Sequence, residues 1–421
     1  MTAPRLEASP RGDAAALREP RPGRVLIISE HFAPSISASA QLLTDLADGL
    51  WRWGWPVTVL TASPGGSMPF PVIRLGAAKA GGSTTSVLEK ALRGVRFLLG
   101  SLLWCLRHGR RDDVVLIVSN PPFIGLLGPL IRLFRGLPYV FLFQDLFPRS
   151  AVLSGVLPGA GPLAILWRGL MAQVCRNSSQ TVVLSQAMAQ RLRHDMGANL
   201  PLVVIPNWAV EQAQDTPRPT NPFARDHGFA QRFTLQYSGN FGRLHDLLTL
   251  LEAARVLHQD PIQFVFIGGG AKQSQIDAYV NAFSLANVLR LPYQPRQILP
   301  LSLGACDMAA IGLMIGAEDT VAPCKLYGIL ASGRGLVLVA RRTCDLAQMV
   351  LKEGCGIVVE PGEATELAER LLALSRDPEA VRAMGRRASA LYRERFGLER
   401  SLAGYDAILR QAALASGRAA R

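Results

Sequence analysis

The stretch Pro323-Cys324-Lys325-Leu326-Tyr327-Gly328-Ile329-Leu330-Ala331-Ser332-Gly333, followed by Leu336-Val337-Leu338-Val339-Ala340, decides how this chain is read. It sets a lysine at the head of a short apolar helix, closes that helix with glycine and enters a strand with no polar alternation. Loop-to-helix turns of this kind hold phosphates in α/β proteins, because free backbone N–H groups and a cation meet the anion there. An ordinary loop–helix–strand unit with a surface lysine reads the same way, so the flanking segments must decide.

Around this stretch runs a series of short apolar strands at 234–238, 264–267, 288–291, 308–312, 336–340 and 356–360, with helical patterns between them. A similar series precedes it at 24–29, 57–62, 114–120, 139–145, 181–185 and 202–207, with helices near 41–53, 123–134 and 186–196. Runs of Val, Ile, Leu and Phe without alternation belong to strands buried on both faces, so each series predicts a parallel sheet with helices on both sides. The polar, proline-bearing 211–233, with Pro217 and Pro219, reads as the linker between two α/β halves. The expected order is a disordered tail (1–23), an N-terminal Rossmann-like domain (24–210), the linker (211–233), a C-terminal Rossmann-like domain (234–397) and a final helix (398–421) returning towards the first domain.

With 421 residues, 49% of them hydrophobic, the chain can bury two cores. Lys+Arg 45 against Asp+Glu 32 leaves +13, which suits a phosphate-bearing partner. The basic residues are dispersed and lack interleaved aromatics, which argues against nucleic acid. The six cysteines are scattered and form no C-x-x-C pair, so a disulfide framework or a zinc site is not expected. The first 23 residues have no apolar core of a signal peptide, and a cytoplasmic protein is expected.

Two segments are unusually apolar. Between 87 and 106, Leu88, Leu92, Val95, Leu99, Leu102 and Leu106 recur at helical spacing, with Lys90, Arg93, Arg96 and Arg107 on another side. Either this helix packs on its own sheet or, since Phe97, Leu98, Leu103 and Trp104 widen its apolar face, it also meets an anionic membrane surface. The second segment, 151–174, has Arg168 as its one charge and is broken by Gly155, Pro158, Gly159, Gly161 and Pro162. It reads as a mobile apolar loop with a helix from about Leu163, covering either a lipid or the domain itself.

Strand-to-helix loops should carry the chemistry. Gly239-Asn240-Phe241-Gly242-Arg243 follows one strand and Gly268-Gly269-Gly270-Ala271-Lys272 the next. Glycine lets the backbone approach an oxyanion, and Arg243 can fork onto two phosphate oxygens. In the first half His31, Asn120 and Asp145 stand at or just past strand ends, where they would position a sugar or hydroxyl, or would cap the turns that Asn and Asp favour.

The succession of segments resembles the retaining glycosyltransferases of family 4, which have the GT-B fold of two facing Rossmann-like domains. The likeness spans Arg24 to about Leu409. It rests on Ser29-Glu30-His31-Phe32-Ala33-Pro34, Gln144-Asp145-Leu146-Phe147-Pro148, Val204-Ile205-Pro206-Asn207-Trp208, Tyr237-Ser238-Gly239-Asn240, Phe266-Ile267-Gly268-Gly269-Gly270, Lys325-Leu326-Tyr327 and Gly354-Cys355-Gly356-Ile357-Val358-Val359-Glu360-Pro361. Within the family it looks most like the branch named for colanic-acid biosynthesis and N-acetylfucosaminyl transfer. That resemblance implies a UDP-sugar donor, a polyprenyl-linked saccharide acceptor, peripheral attachment to the inner face of the cytoplasmic membrane, and catalysis without a metal cofactor.

By the same resemblance Asp145, His31, Arg243 and Lys325 would be catalytic. Gly239, Asn240, Gly269, Gly270, Leu326 and Tyr327 would bind the donor, and Asn120 would face the acceptor. Many members carry two glutamates where counting back from Gly333 gives Thr320 and Gly328; Glu318 and Asp319 lie nearby as stand-ins for the first, and nothing nearby replaces the second. Members also often have lysine at the position of His245. Retention implies that the acceptor attacks from the face the leaving group vacates, the departing phosphate helping to remove its proton. A UDP-sugar 2-epimerase and a non-catalytic nucleotide-sugar-binding protein at the membrane surface are the alternatives.

Overall fold

The computed structural model describes residues 23–35, 37–76, 87–159, 161–209 and 218–419. The expected tail, but for Gly23, residues 211–217 of the expected linker and residue 210 just before it lie outside the described residues.

The first lobe holds seven strands: β1 (Val25–Ile28), β2 (Val57–Thr61), β3 (Val72–Arg74), β4 (Val114–Val118), β5 (Tyr139–Leu142), β6 (Gln180–Val183) and β7 (Leu202–Val204). They pair in parallel in the order β3-β2-β1-β4-β5-β6-β7. The second lobe holds β8 (Phe233–Asn240), β9 (Ile262–Gly269), β10 (Val288–Leu291), β11 (Met308–Gly312), β12 (Gly335–Val339) and β13 (Gly356–Val359), ordered β10-β9-β8-β11-β12-β13. Every residue of β1, β2, β4, β5, β11 and β12 is buried, which explains their unbroken apolar runs. Strand order reverses between β1 and β4 in one sheet and between β8 and β11 in the other. Ligands of doubly wound sheets bind outside the carboxyl ends at these reversals.

Three expectations need correction. Residues 218–233 are part of the second lobe: Asn221 caps the helix Pro222–Asp226, and Phe223, Ala224, Phe229 and Ala230 pack with Val265, Ile267 and Ala305. The prolines there serve a turn and a first helical position, which resemble a linker in sequence. The segment 151–174 is largely helical, in Arg149–Leu153 and in Pro162–Asn177, which opens on its proline. The helix Val87–His108 is turned over relative to its apolar stripe: Gly94, Phe97, Ser101 and Cys105 face the lobe, while Leu92, Val95, Leu99 and Leu103 are exposed. Gly94 permits this orientation, since a Cβ there would lie 2.8 Å from the Phe123 ring.

The chain returns to its starting lobe. Leu402, Tyr405, Ile408, Leu409 and Ala412 of the helix Leu398–Ala419 join the core of the first lobe. Leu402 fills the space above Gly49, and Trp55 Nε1 donates to Asp406 Oδ1 at 2.7 Å.

The lobes touch along the loop between β11 and the helix Lys325–Ala331. Asp145 and Val321 form an antiparallel bridge, and Leu146 N donates to Thr320 O at 3.0 Å. Arg191 and Arg149 of the first lobe pair with Asp319 of the second at 2.8 and 3.4 Å. Arg296 reaches across to Asp45 at 3.1 Å.

Candidate active site

At the carboxyl end of β8 the backbone bends through Gly239 (φ 122°), and at the end of β9 through Gly268 (φ 133°) and Gly270 (φ 146°). These turns touch main chain to main chain. A Cβ on Gly268 would lie 2.1 Å from Gly239 O, and one on Gly270 2.4 Å from Asn240 Oδ1. Phe241 N donates to Gly269 O and Lys272 N to Phe241 O, locking the two turns together. Only glycine satisfies both the positive φ and the missing space.

Lys325, the first residue of its helix, lies over this floor. Its Nζ donates to Asn240 O at 3.3 Å, sits 4.7 Å from the centre of the Tyr237 ring, and its Cε lies 3.0 Å from where a Gly239 Cβ would be. Burial holds its pKa down to about 8. The Tyr237 face and the Asn240 carbonyl offset part of that desolvation.

His245 stands beside it. Its Nδ1 lies 2.9 Å from Asn240 O, 2.9 Å from Tyr237 Oη and 3.1 Å from Gly242 N. Burial first, then the charges of Lys325 and Lys272, lower its pKa to about 3, leaving a neutral ring. Lys272 Nζ donates to His245 O at 2.6 Å, adding a second cation, and Tyr293 Oη donates to Gly269 O at 2.9 Å. Neither Lys272 nor Tyr293 was singled out from the sequence. Lys272 could have been found as the first side chain after the glycine turn, whereas Tyr293 is brought in only by β10 pairing with β9.

The remaining expected donor residues are placed unequally. Arg243 is exposed and has no hydrogen-bond or ion-pair partner among the described residues. Leu326 and Tyr327 point into the core, the Tyr327 ring edge-on to Phe396 at 5.3 Å. Leu326 N–H is committed to Pro323 O at 3.0 Å, so it is not a free donor. Glu318 is buried, with Arg341 on its carboxylate at 3.0 Å and Gly316 N at 2.7 Å. Thr320 is fully buried, accepting from Arg149 Nε at 2.9 Å and donating to Asp319 Oδ1 at 2.9 Å. Gly328 lies against Leu303, 3.6 Å from a would-be Cβ.

In the first lobe, His31, Asn120 and Asp145 follow the neighbouring strands β1, β4 and β5. His31 is half-exposed, 3.9 Å from Glu30, and Asn120 O accepts from Glu30 N. Asp145 is half-buried by area, yet its carboxyl is enclosed deeply enough that desolvation pushes it up to about 6. Cys324, whose thiol burial raises to about 11, feels both the Asp145 carboxylate and the Lys325 ammonium. Asp145 from one lobe and Lys325 from the other thus converge on one seam. Among the described residues no group of three or more His, Cys, Asp or Glu side chains is placed to hold a metal ion.

Two facing parallel sheets, with a cationic glycine floor at the reversal point of one, define a GT-B glycosyltransferase. The chain matches Glycosyltransferase Family 4 over residues 39–209 and Glycosyl transferases group 1 over residues 223–390, and it belongs to family 4 of the glycosyltransferases. It is similar to the probable glycosyltransferase WbjE of Pseudomonas aeruginosa, 26% identical over 280 residues, which covers 66% of this chain and 70% of that protein. It is also similar to the putative colanic acid biosynthesis glycosyl transferase WcaI of Escherichia coli (strain K12), 24% identical over 370 residues, 80% of this chain and 88% of that one. Among solved structures, sucrose-phosphate synthase from Thermosynechococcus elongatus superposes with a TM-score of 0.73 at 17% identity, covering 93% of this chain and 100% of that one. Anabaena Alr3699/HepE in complex with UDP and glucose gives 0.71 at 16% identity, covering 92% and 100%.

Proposed function

We propose that this glycosyltransferase moves a sugar from a UDP-sugar to a polyprenyl-linked saccharide at the inner surface of the cytoplasmic membrane, with retention at the anomeric carbon, in bacterial surface-polysaccharide assembly. The observation that carries the donor side is Lys325, buried over the glycine floor at the β8/β11 reversal. When the bond between sugar C1 and the diphosphate oxygen breaks, negative charge grows on the leaving diphosphate, and a cation already fixed there lowers the barrier. Arg243, unpaired and exposed on the same loop, is free to swing onto the outer phosphate oxygens. The solved relatives that hold UDP and UDP-glucose support the choice of nucleotide.

On the acceptor side, Asp145 orients the incoming hydroxyl, and His31 and Asn120 border the same cleft. The departing diphosphate takes up the proton, which keeps the two charges on one face of the sugar. The name of WcaI supports a polysaccharide product.

The membrane part of the reading rests on exposed apolar area. The helix Val87–His108 packs against Leu127–Arg135, which packs against Pro162–Asn177. Across these three helices Leu92, Val95, Leu99 and Leu103, then Leu133 and Phe134, then Leu163, Ile165 and Leu166 are exposed. Arg96, Arg107, Arg110, Arg111 and Arg168 lie in the same segments, and cations beside apolar area favour an anionic bilayer surface. Among the described residues no helix is long and apolar enough to cross a membrane.

The test is to incubate the purified protein with labelled UDP-sugars and bacterial lipid extract. UDP release that needs the extract, label in the lipid phase and an unchanged anomeric configuration by NMR are expected. Lys325→Ala should lower turnover at least a hundredfold with an unaltered melting curve. Unchanged turnover in that variant, or label recovered as an epimerised nucleotide sugar, overturns the assignment.

A further inference from the structure

A concavity lies at the opposite end of the second sheet from the cleft. It encloses about 990 Å³ and is walled by the amino-terminal approaches to β8, β9, β11 and β12 and by the helix Pro378–Arg395. Nothing in the transfer reaction uses it. Six arginines line it (Arg218, Arg334, Arg376, Arg382, Arg386 and Arg393), against two carboxylates, Asp260 and Asp307.

The local pairings leave much of that charge unanswered. Asp307 is taken by Arg218 at 3.0 Å and by Thr234 N at 2.7 Å. Arg382 and Arg386 share one carboxylate, Glu379, at 3.0 and 2.7 Å. Arg334, Arg376 and Arg393 form no ion pair among the described residues; Arg334 Nε is buried with no hydrogen-bond acceptor, though Asp307 feels its charge, and Arg393 Nε donates to Ser389 O at 3.4 Å. These three come from three different elements, so their convergence is not the periodic charge of one helix face. A guanidinium enclosed without an acceptor costs free energy that a bound anion would offset.

Phe233, Leu372 and Leu374 give the wall an apolar part, beside polar Gln231, Ser332, Ser375 and Ser389. The cavity is far larger than a single phosphate group requires, and its volume falls in the range of small-molecule sites. Its back is stiff: a Cβ on Gly385 would lie 2.1 Å from Gly333 O, so the long helix is seated directly on the turn that bears Arg334.

We infer that this cavity is a second anion site, taking a soluble phosphorylated small molecule of the nucleoside-phosphate or sugar-phosphate class. The phosphate meets Arg334, Arg376 and Arg393, and the organic part lies against Phe233 and the leucines. The helix Lys325–Ala331 runs from the cleft lysine to the cavity wall at Ala331, so the two sites share one element.

The test is calorimetric titration of the full chain with inorganic pyrophosphate, a probe that asks only for the anion contacts. Because the cleft is itself read as a diphosphate site, the comparison is made in Lys325→Ala, which should still bind the probe, and there Arg334→Gln/Arg376→Gln should weaken binding at least tenfold. Thermal melting checks folding. Should Arg334→Gln destabilise the lobe, Arg376→Gln/Arg393→Gln, two exposed positions, gives the same comparison. Equal binding in Lys325→Ala with and without the arginine changes, or no binding by Lys325→Ala, overturns the proposal. Loss of phosphatidylglycerol-vesicle binding in the arginine variants would also overturn it, by assigning these arginines to a lipid headgroup.

Discussion

Lys325 is held where its charge is costly, and this makes its protonation a control on the donor. With a pKa near 8 it is cationic below that pH and neutral above it. The affinity for UDP should therefore be level from about pH 6.5 to 7.5 and fall as pH rises past 8, while in Lys325→Met the affinity is lower and the fall is absent. Titrations at stepped pH decide this, and identical curves for the two proteins would remove the lysine from the diphosphate site. Lys325 stands out in the sequence because it follows a loop and heads a short apolar helix, a pattern that an ordinary surface lysine shares. The commitment of Glu318 to Arg341, 23 positions away, was not legible, because it depends on how the end of β12 comes to lie beside the loop after β11. His245 shows the same limit. Its residue type suggests a proton carrier, yet enclosure and two lysines keep it neutral.

At the scale of elements, β11 and β12 could be read because burial on both faces leaves only apolar residues and glycine. β3 could not, since its three residues are half-buried at a sheet edge and carry Arg74. The glycine turns were also legible, and the structure adds the reason, which is main chain pressed on main chain. Gly268→Ala combines a positive φ with a 2.1 Å approach to Gly239 O. It should cost about 1–3 kcal/mol of stability from backbone strain alone. It should also weaken UDP binding by displacing the β8 turn beneath Lys325, as read by melting temperature and titration.

The helix Val87–His108 shows a different limit, since its sequence leaves open whether the apolar face meets the sheet or a membrane surface. Helical periodicity reports an apolar face without saying what covers it, and here that face is turned outward. Leu99→Asp/Leu166→Asp should abolish sedimentation with phosphatidylglycerol vesicles and leave the melting temperature unchanged, because both side chains are more than half exposed. Unchanged vesicle binding would place the contact elsewhere.

Over the whole molecule, two sheets of like handedness were visible in the sequence as two strand series, but the seam between them was not. The pairing of Arg149 and Arg191 with Asp319 joins residues more than a hundred positions apart. No local pattern announces such a contact. The final helix can be weighed by burial. Leu402, Tyr405, Ile408 and Leu409 lie in the first lobe's core, and at roughly 2 kcal/mol each their loss rivals the whole stability of a domain. Deletion of residues 398–421 should leave that lobe unable to hold its native structure, seen as protease sensitivity confined to the first half.

That returning helix also sets an order of events during synthesis. A ribosome releases the first sheet long before it makes Leu402 and Tyr405, so the nascent first half waits with an open groove beside Trp55 and Gly49. The second half has all its strands by residue 359 and its core side chains by Leu391, ahead of the returning helix. The earliest-made lobe thus waits longest for its last core residues.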